Sequence, residues 1–557
     1  MRFQDRRDQT QPPASPSGVE FAQTRRQLLS GAAAIGVSTA FSGPVSAQTP
    51  APVRIAIAFG DIPRLWAGPD GAFQGMRFAG YPIYDALINW DLDQEDRASG
   101  LVPGLAESWS IDPNNPARWI VKLRSGVTFH DGSPFDADAA IWNFNSVFDQ
   151  KAQQYNAART ALIVPRLPSV SGAEKVDDST IAVLTRGPDA MTPYQISFLL
   201  MASPAQYAKL GDSWEKFVSA PSGTGPFRFG SFTPRVRLEL VRNEKYWDTK
   251  RIPKAPAVHL QPILDANARI AALRSGQVDL IETVPPAALA SLKGAGFSIK
   301  ANTHPTISIW KLSLLPDSPF RDLRVRKAAN LAVDREGIIK LLDGAAVLAK
   351  GMVPEDSPWF GKPTFQLRTD PAEARKLLAE AGYGPNNRVK AKILISSAGG
   401  GQPESLKVNE FVQSNLAAVG FDIEFQVVDY VTLFTIYRNG AKAAQSAGIH
   451  GVSLPAPVQD PTASIFRGHA SELTPPRGTN WGFYNNPEVD EALRQAQRAF
   501  GPVALDAAIA KVHQLLIDDA ASVFFVHELD PWGMSNKVKG FMQPKNWFSN
   551  LTSVSIG

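Results

Sequence analysis

The chain has 557 residues, 44% of them apolar and 20% charged, which is enough apolar material for two or three globular units. Lys and Arg number 57 against 53 Asp and Glu; residues 1–47 hold five and three of these, leaving 52 against 50. So even a balance gives no electrostatic footprint for nucleic acid, and the absence of cysteine excludes disulfides, thiolate metal sites and a lipid-modified cysteine anchor.

Residues 1–47 read as an export signal peptide. Thr24-Arg25-Arg26-Gln27-Leu28-Leu29 precedes a weakly apolar run over residues 31–41, and Val45-Ser46-Ala47 is a small-residue cleavage pattern. The paired arginines resemble the twin-arginine signal for export of folded chains, with an ordinary unfolded-export signal as the alternative. The apolar run is about half the length needed to cross a bilayer, and no later charge-free stretch is long enough. The mature chain is therefore expected to be soluble and, lacking an anchor, periplasmic.

Residues 53–59 alternate with period two and predict a first strand. Residues 119–123 and 126–129, followed by His130-Asp131-Gly132, predict two strands with turns, and residues 174–184 and 227–241 continue the alternation. Beyond residue 260 the texture changes. Residues 267–274 predict a helix, 275–280 its cap and a strand, and 324–342 carry apolar residues at helical spacing. Asp370-Pro371-Ala372-Glu373 opens a helix that stops at Gly382. Residues 389–395, 404–419 and 421–427 predict strand, helix and strand, the signature of a parallel α/β crossover.

Few residues suggest chemistry. Gly399-Gly400-Gly401-Gln402 lies between a predicted strand and helix, where backbone N–H groups could receive an anion; a purely structural turn is the alternative. It lacks the Gly-Lys-Ser/Thr ending of a nucleotide loop. His130-Asp131-Gly132 reads as a turn rather than an acid–base pair. His259, His304, His450, His469, His513 and His527 form no metal-binding pair, and no nucleophile elbow occurs, so neither a catalytic site nor a cofactor is expected. Trp481, Phe483 and Tyr484 fall in a Gly/Asn-rich stretch, as loop aromatics that could line a pocket or pack the core.

In order, the chain carries Tyr84-Asp85-Ala86-Leu87, Gly104-Leu105-Ala106-Glu107-Ser108-Trp109, and Leu123-Arg124-Ser125-Gly126-Val127-Thr128-Phe129-His130-Asp131-Gly132. Gly223-Thr224-Gly225-Pro226-Phe227, Asn243-Glu244-Lys245-Tyr246-Trp247, Ser275-Gly276-Gln277-Val278-Asp279, Phe320-Arg321-Asp322-Leu323-Arg324 and Tyr484-Asn485-Asn486-Pro487-Glu488 follow. This series resembles the dipeptide/oligopeptide-type solute-binding proteins of ABC importers, solute-binding protein family 5. The resemblance implies an α/β, bilobed periplasmic-binding-protein fold with mixed sheets and an additional β-rich subdomain in the first lobe. It implies a discontinuous first lobe, residues 48–303 plus 527–557, and a second lobe, 304–526, hinged near residues 306–314 and 524–532.

The implied function is to capture a small solute, peptide-like or not, between the lobes and deliver it to the permease's transmembrane subunits. The partners expected are that solute, the permease and the export machinery, with the protein a monomer. A periplasmic hydrolase or a signalling receptor on the same fold is the alternative. Cleft candidates are Arg77, Tyr81, Trp310, Gly400, Gln402, Asp460, Trp481 and Tyr484. Peptide binders of this family hold the ligand's α-ammonium with an Asp shortly before an acidic-Pro pair. The pair is here Asp460-Pro461, and Pro457 stands at the ammonium-binding place unless the alignment slips by three residues, which restores Asp460 to it.

Overall fold

The computed structural model describes residues 51–62, 65–68, 75–303, 305–397 and 404–557. The expected export signal and the loop holding Gly400 and Gln402 lie outside them.

Two large mixed sheets organise the chain. The first has seven strands in the order Ser298–Lys300, Trp532–Met534, Leu280–Ile281, Val53–Ile57, Ala257–Pro262, Arg237–Arg242 and Phe227–Thr233. Val53–Ile57, nearly all buried, runs parallel to both its neighbours, while the other pairings are antiparallel. One strand of this sheet, Trp532–Met534, comes from near the C-terminus, so the chain returns to its first sheet after building the second. The second sheet has the order Phe421–Val428, Val389–Ser396, Gly451–Ser453, Ile309–Leu312 and Ser522–Phe524. Val389–Ser396 and Phe421–Val428 pair in parallel from Val389↔Phe421 to Ser396↔Val428, with the helix Ser405–Ala417 between them in the chain, as the spacing predicts.

A separate antiparallel sheet orders Ala106–Asp112, Asn115–Leu123, Thr180–Thr185 and Val170–Asp177, the additional β-rich subdomain. Here the sequence reading needs a correction. Residues 126–129 are not a strand: they form a tight loop closed by one bridge, Thr128↔Pro134, and by Phe129 and Gly132, while Asn115–Leu123 takes the preceding segment as its hairpin partner. Residues 324–342 likewise split into two helices, Leu323–Ala332 and Arg335–Leu341. Asp334 caps the second through a bond from the Gly337 N–H, which ends the continuous helical register.

The two sheets are joined where residues 306–314 and 524–532 cross. The segments run antiparallel, with Ser308 N–H donating to Val526 O at 3.0 Å and Phe525 N–H to Ser308 O at 2.9 Å. On its other side Val526–Glu528 pairs with Ala346–Leu348.

The family-like motifs of the first lobe converge on one buried carboxylate. Asp85 accepts hydrogen bonds from the Thr224 hydroxyl (2.9 Å), the Tyr246 hydroxyl (3.0 Å), Trp247 Nε1 (2.9 Å) and Asn89 Nδ2 (3.1 Å). Glycine is required beside it. A Cβ on Gly223 or Gly225 would come within 2.3 and 2.7 Å of the Ile83 carbonyl oxygen.

Candidate functional site

Two π-helical turns occur among the described residues, Met76–Gly80 in the first lobe and Thr462–Phe466 in the second. Such turns widen a helix by one residue and recur at functional sites, because they turn side chains that a regular helix would keep on its own face. Each holds or adjoins a residue singled out from sequence: Arg77 in one, Asp460 just before the other.

Arg77 is buried and bonded inside its own lobe. Its Nη1 donates to Glu282 Oε2 at 3.2 Å and its Nη2 to Asp530 Oδ2 at 2.9 Å, while the guanidinium lies 5.5 Å from the Trp532 ring centroid and 5.8 Å from that of Trp547. Nε has no acceptor. Tyr81 donates to Ser197 O at 2.9 Å, its ring 4.3 Å from that of Phe548. Burial pushes its phenol well above the ordinary tyrosine range. With Asp85, Arg251 and Asn550 it lines a cavity of about 20 Å³, room for a single water.

Trp310 is fully buried in the second lobe's core, its Nε1 donating to Asn409 Oδ1 at 2.6 Å. Tyr484 donates to Asp519 Oδ2 at 2.7 Å, and Asp519 pairs with Arg326 at 2.7 Å. Trp481 packs with Leu394, Leu433, Tyr437 and Val452, and its buried Nε1 has no acceptor. The candidates therefore do not form one constellation: Arg77 and Tyr81 occupy separate sites of the first lobe, and the aromatics are packed within the second.

Asp460 lies where the two sheets' surroundings meet. It is 2% exposed, its Oδ1 accepting the Ala463 N–H at 2.8 Å and its carbonyl accepting from Ser464. Burial raises its carboxyl pKa, against the pull of Arg166, from the first lobe's β-rich part, and of Arg467 just beyond the π-helical turn. The adjacent Gln459 accepts from the Trp547 N–H at 3.3 Å. Further contacts tie the same surfaces: Ala190 N–H to Gln497 O at 2.7 Å, the Tyr194 and Trp359 rings 5.9 Å apart, and an ion pair between Lys545 and Asp356. Pro457 lies on a short strand, Ala456–Pro457, opposite Thr306 of the crossing segment, and is exposed.

Beside the crossing a larger recess, about 400 Å³, is lined by Thr303, Val347, Leu348, Pro354, Glu355, Asp356 and His527. Its size falls within the range of small-molecule sites. The next residue, Glu528, accepts a hydrogen bond from the Ser308 hydroxyl, linking the two crossing segments, and burial pushes its carboxyl up to about 7. His469, His513 and His527 are buried, His130 is half-buried, and desolvation holds all four neutral, their pKa values down to about 4. Among the described residues no three His, Cys, Asp or Glu are grouped to hold a metal ion, and no helix is long and apolar enough to cross a membrane.

Comparison with known proteins decides the family. The model for bacterial extracellular solute-binding proteins, family 5 (middle region), matches residues 100–464. The chain belongs to this family. Such family 5 proteins deliver solutes to ABC permeases, and solute binding for ABC import is the function this chain shares with them. The glutathione-binding protein GsiB of Pectobacterium atrosepticum is 28% identical over 484 residues, covering 84% of this chain and 87% of that protein. Heme-binding protein A of Haemophilus influenzae is 26% identical over 503 residues, covering 85% and 87%. Among solved structures, HbpA2 from Haemophilus parasuis superposes with a TM-score of 0.77 at 19% identity, covering 91% of this chain and all of that one. A dipeptide-binding protein from Pseudoalteromonas in complex with Met-Leu gives 0.73 at 19%, covering 90% and 100%. At these identities the structures establish the bilobed fold. The relatives are binding proteins, and the hydrolase alternative finds no support among them.

Sequence reasoning missed Arg467, Arg166 and Glu528. For Arg467 a signal was available: it follows a short helical segment with Ala463, Ser464, Ala470 and Ser471 three and four residues away, so no carboxylate on its own helix could pair with it. The other two are defined by contacts across the fold that no local pattern encodes.

Proposed function

We propose that this family 5 protein is a periplasmic, monomeric receptor, exported through a twin-arginine signal in residues 1–47, that traps one small solute between its lobes and passes it unchanged to the permease's transmembrane subunits. Its first lobe comprises residues 48–303 plus 527–557 and its second residues 304–526. The paired segments 306–314 and 524–532 act as the hinge, and closure follows the contacts a solute makes with both lobes at once.

The observation that carries this reading is the crossing itself: two antiparallel strands connect two independently sheeted bodies, and across their facing surfaces lies a buried carboxylate, Asp460, without an ion pair. Of the sequence candidates, Asp460 is the one assigned to the solute; Arg77 and Tyr81 shape the first lobe's wall, while Trp310, Trp481 and Tyr484 support the second lobe from within. Gly400 and Gln402 remain candidates on the helix-start loop.

Ordinary di- and tripeptides are poor ligands in this reading. Pro457 offers no charge to a buried α-ammonium, whose desolvation costs several kcal/mol. Solutes of the kinds named for the relatives, glutathione first, are the panel to test. Calorimetry and small-angle scattering should find closure, a smaller radius of gyration, with a bound solute and no closure with Met-Leu. Micromolar affinity for simple dipeptides would overturn the exclusion, and unchanged scattering with every ligand that binds would overturn the closing receptor.

A further inference from the structure

The second lobe's apolar core holds two residues of the first. Ala190 and Met191, 3% and 0% exposed, belong to the same buried cluster as Met352, Val353, Trp359, Phe466 and Phe524, and the rest of that cluster lies within residues 304–526. They stand on the loop between the strand Thr180–Thr185 of the β-rich subdomain and the short helix Thr192–Ile196. Two aromatic contacts accompany them. Trp119 of that subdomain meets Phe500 edge to face with ring centroids 5.9 Å apart, and Tyr194 meets Trp359 edge to face, also at 5.9 Å. Phe500 and Tyr194 each pack against the buried clusters of both lobes.

Both sides of this contact are built. On the first lobe the carboxylate of Asp189, 2% exposed, accepts the Met191 N–H at 2.9 Å and Gln195 Nε2 at 2.6 Å, while its carbonyl accepts Trp119 Nε1 at 3.2 Å and the Thr192 hydroxyl at 2.7 Å. Gln195 Oε1 in turn accepts the Ser169 N–H at 3.1 Å and the Ser169 hydroxyl at 2.9 Å. All these bonds lie within the first lobe, so the loop keeps its shape when the lobes part and Met191 then meets water. On the second lobe Trp359 Nε1 donates to Asp506 at 2.8 Å, and the helix Pro487–Gln497 ends on a carbonyl that no later turn can satisfy. Ala190 N–H supplies the missing donor to Gln497 O at 2.7 Å. None of these bonds and ring contacts includes Asp460 or Pro457.

We propose that Ala190 and Met191 form a solute-independent latch, an apolar peg of the β-rich subdomain seated in the second lobe, that holds part of the ligand-free receptor closed. Burying one methionine side chain is worth about tenfold to a hundredfold in an equilibrium, so about a tenth or more of the ligand-free molecules are closed and a solute supplies the remaining bias. The latch rests on the two-lobed receptor reading and adds to affinity a contribution blind to the solute's chemistry. It differs from the Lys545–Asp356 ion pair between the same surfaces, which salt screens, because apolar burial is not weakened by salt.

The chain has no cysteine, so Val176→Cys and Val503→Cys, at exposed positions on either lobe, place a pair of spin labels. The full mature chain, shown by native mass spectrometry to be free of captured solute, is compared as the labelled parent, Met191→Ala, Met191→Leu and Phe500→Ala. Pulsed electron paramagnetic resonance gives the distances between labels. The ligand-free parent should show two distances, the shorter in about a tenth or more of molecules and retained in about 1 M sodium chloride. Met191→Ala should cut the shorter population about tenfold or more, Phe500→Ala should cut it from the opposite side, and Met191→Leu should keep it. Where glutathione binds, its affinity by calorimetry should fall in proportion to the closed population; where it does not, the ligand-free distances decide alone. A parent without the shorter distance, a shorter population that both alanine substitutions leave intact, or one that salt abolishes overturns the latch. In each of those cases a distance that shortens with a bound solute leaves the receptor standing. A single distance that no substitution and no solute of the panel changes overturns both.

Discussion

Glu528 offers a sharp test of how the proposed hinge is built. It is 8% exposed, on the second crossing segment, and its carboxyl is hydrogen bonded to the Ser308 hydroxyl of the first, with no cation paired to it among the described residues. Burial raises its pKa from an ordinary 4.5 to about 7. Between those values the folded protein keeps a proton that the unfolded chain has released. Stability therefore falls as pH rises from 4.5 to 7 and stays lower above it. The gap of about 2.5 pH units, at about 1.4 kcal/mol each, puts the cost of the ionised carboxylate at about 3.5 kcal/mol at most. Glu528→Gln keeps the shape and an acceptor for Ser308 but cannot ionise. It should match the parent near pH 5 and exceed its stability by up to about 3 kcal/mol at pH 8.

Urea unfolding of both proteins at pH 5, 6, 7 and 8, followed by tryptophan fluorescence and circular dichroism, gives the difference directly. The four desolvated histidines, His130, His469, His513 and His527, act with the opposite sign. Their pKa values of about 4 mean that stability is lost as pH falls below 6.5, but they do so in both proteins and cancel in the difference. A difference independent of pH, or a variant weaker than the parent at pH 8, would refute a buried, unpaired carboxyl in the hinge.

Two further substitutions probe the frame. Asp85→Asn replaces an acceptor oxygen by an amide that confronts the Trp247 N–H, which cannot turn away as a hydroxyl can; a loss of about 2–4 kcal/mol in chemical denaturation is expected, and a loss under 1 would mean the four bonds are not made together. Gly482→Ala would put a Cβ 1.8 Å from the Leu312 carbonyl oxygen, beside the bond from the Leu314 N–H to Gly482 O, and should cost about 3 kcal/mol or more; Gly294→Ala, in an open helical position, is the control that should not.

What was legible in the sequence was whatever physics acts locally. The parallel pair at residues 389–428 came from two β-branched runs around an amphipathic segment, and the helix at Pro371–Glu380 from its Asp370 cap. The misread stretch, residues 126–129, fails for a related reason. Val127 and Phe129 alternate like a strand, but they are buried by a loop that folds back on itself at Gly126 and Gly132, both with positive φ. Period two reports alternate burial, and a loop can satisfy it without a ladder. The candidate site was far less legible, because the aromatics that drew attention are apolar enough to pack: Trp310, on a strand of the crossing segment, and the loop residue Trp481 are buried to 1% exposure or less.

In the proposed reading the family-like motifs and the choice of solute are carried by different residues. Tyr84-Asp85, Gly223-Thr224-Gly225 and Tyr246-Trp247 come together in this chain because Asp85 needs those donors and Gly223 and Gly225 let the Ile83 backbone approach; their chemistry is spent inside one lobe. In the proposed reading a solute meets the residues left over, where partners are missing rather than present. On the second lobe the proposed ones are Asp460, buried without an ion pair, and Pro457 without a charge. A frame that is internally satisfied can tolerate exchange at a position such as Pro457, whose exposed side chain makes no bond the fold depends on. Relatives named for glutathione and for heme both match this chain over most of its length, so a shared frame does not by itself fix the solute.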